Sequence, residues 1–146
     1  MLTIPWTGWP WIASHPIAYP ALEVVHTIGI AMLVGSLLLL ELRVWGRGAQ
    51  IPILPLARLA LPVSVGGFVM VACSGLLMFA ANPGEMIANR AFLLKMVLVM
   101  LAGCNAAAFH MRDGLARADA VARAQTALSL GIWVVAIISG RWIAYV

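Results

Sequence analysis

Four stretches that contain no Asp, Glu, Lys or Arg dominate this chain: 24–40, 59–84, 96–111 and 124–140. With their flanks, each reaches the roughly 20 residues needed to cross a bilayer hydrocarbon core of about 30 Å. Spans are therefore predicted at 21–44, 57–81, 91–111 and 124–145. Backbone N–H and C=O groups find no water in lipid and must bond within their own segment, so the spans are predicted as helices. The loops between them are short, which makes sequential neighbours antiparallel. The expected fold class is all-α: an integral-membrane, up-down four-helix bundle. Composition agrees, since 64% of the 146 residues are apolar and 10% charged. A soluble domain of this size buries too little of its chain to hide that much apolar surface. Soluble enzymes, nucleic-acid modules and disordered tails are thereby excluded, and the solvent is lipid.

The net charge of +4 follows from topology rather than from a nucleic-acid partner, because the basic residues stand at the ends of apolar runs. Arg43, Arg47, Arg58, Arg112, Arg117 and Arg123 lie on one side, and Arg90, Lys95 and Arg141 on the other. The positive-inside rule puts the richer side in the cytoplasm and both termini outside. The expected location is the bacterial inner membrane with periplasmic termini. No basic n-region or small-residue cleavage site precedes the first run, which is expected to remain as a span.

Residues 1–20 differ in character. Pro5, Pro10, Pro16 and Pro20 are expected to prevent a long helix. Trp6, Trp9, Trp11 and Tyr19 have amphipathic rings suited to the headgroup level. This part is predicted to be an interfacial segment, separate from the bundle at 21–146. Trp142 and Tyr145 end the last span on the same side, while Trp45 ends the first span on the other. Ala31 with Gly35, Gly103 with Ala107, and Ala136 with Gly140 have the small-xxx-small spacing that lets helices approach closely. Gly66, Gly67 and Gly75 are given the same role on the second span. Cys73 and Cys104 lie inside apolar runs without CxxC spacing, so they are expected to be free, buried thiols.

Ionisable residues at membrane depth are costly and tend to face an interior, a cavity or one another. Glu23 and His26 share a face of the first span, three residues apart. With Lys95 and Arg141 they form one level near the outer side, flanked by Asn82 and Asn89, with Ser74 and Ser139 slightly deeper. Two readings stay open. One is a charge-balanced structural network whose cations snorkel outward. The other is a pocket for a haem b or a quinone. There His26 would be the ligand or hydrogen-bond donor, Glu23 its orienting partner, and Arg141 with Lys95 the clamps for anionic or carbonyl groups. A second level, at the cytoplasmic end, holds Glu41, Arg43, Arg58, Asn105, His110, Arg112 and Gln125. Most of it reads as a solvated rim, with His110 as a further candidate ligand.

His26 and His110 cannot share one iron, because antiparallel spans separate their depths by roughly 24 Å at 1.5 Å per residue. A six-coordinate haem on His26 would need His15, Met78, Met96 or another subunit. The Glu23-x-x-His26 half-motif lacks the second copy a di-iron bundle requires. The methionines show no Met-x-x-Met pair for copper. No nucleophilic triad or phosphate-binding glycine loop is present.

Several stretches carry a family resemblance. They are Tyr19-Pro20-Ala21-Leu22-Glu23-Val24-Val25-His26-Thr27-Ile28-Gly29, then Glu41-Leu42-Arg43-Val44-Trp45-Gly46. Further on come Ala102-Gly103-Cys104-Asn105-Ala106-Ala107-Ala108-Phe109-His110, Ser129-Leu130-Gly131-Ile132-Trp133 and Ser139-Gly140-Arg141-Trp142-Ile143-Ala144-Tyr145. Together they resemble an uncharacterised bacterial family of four-span membrane proteins, over nearly all of the chain after the N-terminal segment. That family is distantly similar to copper-resistance-D and b-type cytochrome membrane bundles, which have a histidine early in a span. That family carries no established activity to transfer; the outer-level residues lead to the expectation of a redox membrane subunit or anchor, with other membrane or periplasmic redox subunits, or further copies of itself, as partners. The competing expectations are a cofactor-free accessory or assembly subunit of a larger membrane complex and, third, a small-solute or copper permease. Four short spans without a broken helix make a poor transporter.

Overall fold

Length and apolarity fix the four long helices, and polar side chains mark where three of them begin. The computed structural model describes residues 8–145, which contain no strand. Pro5 and Trp6 lie outside the described residues. The elements are α1 (Pro10–Ser14), α2 (Ala18–Val44), α3 (Ile53–Ala81), α4 (Pro83–Ala88), α5 (Arg90–Met111), α6 (Gly114–Arg117) and α7 (Ala120–Trp142), with a closing 3₁₀ turn at Ile143–Tyr145. Four helices, namely α2, α3, α5 and α7 with its closing turn, are long and apolar enough to cross a membrane. The chain is thus an all-α, multi-pass membrane protein.

Both α2 and α3 begin earlier than expected. Pro20 sits in the first turn of α2, where a missing N–H costs nothing because the first four N–H groups have no intrahelical acceptor. Instead, His15 supplies an acceptor: its Nδ1 receives the Ile17 and Ala18 N–H groups, each at 3.2 Å. The N-terminal segment is therefore a short helix followed by the start of a span. Trp9 donates its backbone N–H to the Ala80 carbonyl at 2.6 Å, and Ile12 is buried, so α1 is fastened to the end of α3. Pro62 lies inside α3, which continues through it.

Two later helices start on side-chain caps. Asn89 Oδ1 accepts from the Ala91 and Phe92 N–H groups, while its amide donates to the Ile143 carbonyl at 3.1 Å. Asp119 Oδ1 accepts from Ala122 at 2.8 Å, and its other oxygen pairs with Arg112 at 3.2 Å. The Ala122 N–H, helped by Arg112, holds the Asp119 carboxyl below its ordinary value of 3.8. A carboxyl depressed by folding stabilises fully above the ordinary range and loses that contribution as pH falls through the lowered value. Thermal midpoints measured from about pH 6 down to about pH 3 should therefore fall more steeply for the wild type than for Asp119→Asn. Parallel curves would show that the cap carries no pH dependence.

The bundle is built as two pairs. The α2 helix packs along α3, α5 packs along α7, and α2 meets α7 to join them. Helices α3 and α5 approach at one end, where Phe79 stacks on Phe92 with 5.7 Å between ring centres, rather than along their lengths. The α2–α3 register is antiparallel: His26 faces Ser74, Gly29 faces Gly67 and Ser36 faces Ser64. Ser36 and Ser64 are both buried and their hydroxyls lie 2.6 Å apart. Each also reaches a carbonyl one turn back, so no polar atom of the pair is stranded in the apolar interface.

The small residues that mark this crossing are only partly those expected: Gly67 is among them, but its partner is Gly29 rather than Gly35. A Cβ on Gly29 or Gly67 would press on the facing backbone, whereas one on Gly35, Gly66 or Gly103 would meet open space. Gly35 lies more than one turn beyond the point of closest approach, which falls at Gly29. Of the spaced pairs, Ala136 and Gly140 do face the interior. Cys73 and Cys104 are free, as expected, but exposed rather than buried. In lipid an outward face needs no polar residues, so an apolar run cannot reveal which side of its helix is covered.

Candidate functional site

The two polar levels read from the sequence have different fates. At the outer level, His26 of α2 is half-buried and uses both ring nitrogens. Its Nδ1 lies 2.9 Å from Ser74 Oγ on α3, and its Nε2 lies 3.3 Å from Lys95 Nζ on α5. The tautomer follows from counting protons. Ser74 has one hydroxyl hydrogen, and its oxygen sits 2.6 Å from the Met70 carbonyl, which can only accept. The hydroxyl therefore donates to Met70 and accepts from the His26 Nδ1–H. This leaves a lone pair on Nε2, which accepts from the Lys95 ammonium.

Glycines make the room for this arrangement. A Cβ on Gly75 would stand 3.3 Å from His26 Cε1, and one on Gly140 would stand 3.4 Å from Lys95 Nζ. Thus α2, α3, α5 and α7 all contribute to one node: His26, Ser74 with Gly75, Lys95 and Gly140. Ser74 is 2% exposed, so the anchor beneath the imidazole is closed to solvent.

The other residues expected at this level stand apart from the node. Glu23 is exposed, and its backbone carbonyl accepts from the Thr27 hydroxyl at 2.8 Å. The partner that orients the His26 ring is Ser74, not Glu23. Arg141 is exposed and donates to the Tyr145 hydroxyl at 2.9 Å, with its guanidinium over that ring. Lys95 does not snorkel outward but turns inward to the imidazole. Asn82 and Asn89 serve as helix-end residues.

At the opposite end Glu41 is 3% exposed, which corrects its placement on a solvated rim. The cause lies in the pairing of the helices: α2 is covered there by both α3 and α7. Trp45, expected as an interface anchor, is half-buried and donates its indole N–H to Thr126 on α7 at 2.8 Å. Asn105 Nδ2 donates to the Gln125 carbonyl at 2.9 Å, and Arg112 to Gln125 Oε1 at 3.2 Å. His110 is exposed, makes an edge contact with Phe109 and lines a cavity together with Glu41. Nothing in the sequence marked Glu41 as interior, since a charged residue at a span end is usually solvated.

Among the described residues, no group of three or more His, Cys, Asp or Glu side chains is placed to hold a metal ion. Comparison with family models, with curated proteins and with solved structures finds no match.

Proposed function

We propose that this multi-pass protein is a redox membrane subunit or anchor whose outer node, His26 with Lys95, binds a quinone carbonyl near the periplasmic face. Its setting in this reading is the bacterial inner membrane, with both termini periplasmic and redox subunits as partners. The distant similarity of the resembled family to b-type cytochrome bundles supplies the redox context. The observation that carries the reading is the state of Lys95. Its ammonium is partly buried and held by a neutral imidazole, and no carboxylate lies within 4.0 Å of it among the described residues. One of its three N–H donors is used on His26, which leaves two for an acceptor such as a carbonyl oxygen.

A haem fits this node less well. Iron needs a lone pair on an imidazole nitrogen, and that of Nε2 is engaged by the ammonium while Nδ1 carries the proton given to Ser74. A carbonyl asks only for donors that are still free.

The saturation of His26 by protein groups favours a second reading, a cofactor-free accessory subunit in which the node pins the helices together. One experiment separates them. The full chain, purified in mild detergent, is extracted with organic solvent and assayed for quinone, with its optical spectrum recorded. Co-purifying quinone that falls about tenfold in Lys95→Met and in His26→Ala is expected. A colourless, quinone-free preparation would leave the accessory reading standing. A Soret band abolished by His26→Ala would restore haem.

A further inference from the structure

Glu41 ends the first span with one carboxylate oxygen, Oε2, buried and without a hydrogen-bond partner. A stranded carboxylate oxygen in an apolar setting is unfavourable, so a group that completes it is expected in the space it faces. That space is a cavity of about 60 Å³ at the junction of α2, α3, α5 and α7. A single water needs roughly 10–15 Å³ of such room. The cavity thus has room for one small ion with a few waters.

The polar lining consists of Glu41, Asn105, His110, Gln125, Thr126 and Ser129, set in a wall of leucine, valine, alanine and phenylalanine. Ser129 faces the Glu41 carboxyl. Several of the donors nearby are committed elsewhere. Trp45 gives its indole N–H to Thr126, and the Thr126 hydroxyl turns to backbone carbonyls of its own helix. Asn105 spends an amide N–H on the Gln125 carbonyl, which leaves its side-chain oxygen as acceptor. Arg112 serves Gln125 Oε1 and Asp119 rather than Glu41. His110 is the one other titratable group on the lining. The cavity therefore presents oxygen acceptors around the Glu41 carboxyl, and no lysine or arginine stands on its lining.

We propose that the Glu41 cavity binds one monovalent alkali cation. Oxygen donors match the preference of hard cations, and one carboxylate balances one positive charge. A divalent ion would leave net positive charge at membrane depth and generally calls for more carboxylates than the cavity has. The site is distinct from the His26–Lys95 node, which lies at the other end of α2, and does not rest on the quinone reading.

The test is thermal unfolding of the full chain in detergent, in NaCl, KCl or choline chloride at equal ionic strength and neutral pH. A ligand that binds the folded state raises the midpoint by mass action. A saturable rise of about 5 °C in sodium or potassium over choline is expected, with no rise in Glu41→Gln. Ser129→Ala, a milder change that keeps the carboxylate, should shift the half-saturating concentration upward several-fold. It decides the matter should Glu41→Gln fail to fold. Identical midpoints in all three salts, or a salt response that survives Glu41→Gln or is unmoved by Ser129→Ala, would overturn the site. Quinone content measured on the same preparations is expected to be unchanged by Ser129→Ala, which keeps the two proposals separable.

Discussion

Gly67→Ala is expected to destabilise the fold by about 3 kcal/mol, and Gly67→Val to keep α2 and α3 from pairing at all. The reason is what the new atom would strike. A Cβ at Gly67 would lie 2.6 Å from the Leu33 amide nitrogen and 2.7 Å from the Gly29 carbonyl oxygen. Both are backbone atoms of a helix and cannot rotate aside as a side chain would. The helices must separate, which also pulls Ser36 from Ser64 and His26 from Ser74. Gly66→Ala and Gly35→Ala are the controls, since both positions open onto free space. They should remain within about 1 kcal/mol of the wild type, on the stabilising side, because alanine is the better helix former. Unfolding in detergent, followed by circular dichroism, measures all four. Equal midpoints for Gly67→Ala and Gly66→Ala would mean that the helices cross elsewhere.

The second large effect concerns the polar node. His26→Leu is expected to cost about 2–3 kcal/mol, because it leaves a partly buried ammonium without its neighbour. Lys95→Met should cost less, about 1–2 kcal/mol, since what remains is a neutral imidazole with one unpaired nitrogen. The double variant is expected to be more stable than the sum of the two losses by about 1 kcal/mol or more. Strict additivity would mean that the 3.3 Å contact contributes nothing and that each side chain acts alone. A lipid-facing pair that is free to rotate would behave in that way.

What was legible in the sequence was depth; what was not was azimuth. Position along a span follows from residue number alone, so His26 and Lys95 could be assigned to one level, with Ser74 slightly deeper, before any packing was known. Rotation about the helix axis is normally read from an amphipathic stripe. These spans lack one, because lipid is as apolar as the interior they bury. Arg141 therefore shared the right level with His26 but points to Tyr145, and Glu23 points outward. For the same reason, Gly35 was indistinguishable from Gly29, and Cys73 from a buried thiol. Glu41 was misplaced by a related limit: the covering of a span end depends on how the pairs lean together, which no local pattern encodes. The His26 tautomer needed the Ser74 geometry and could not be read from the histidine itself.

The division of the bundle into two pairs has a mechanical consequence. The contact between α2 and α7 is the main seam between two units, α2 with α3 and α5 with α7, which the Phe79–Phe92 stack also joins at one end. It is bridged near one end by the imidazole–ammonium contact and at the other by the Trp45–Thr126 bond. The Glu41 cavity draws its walls from both units as well. A rocking of one unit against the other would thus lengthen the ammonium contact and reshape the cavity in a single movement.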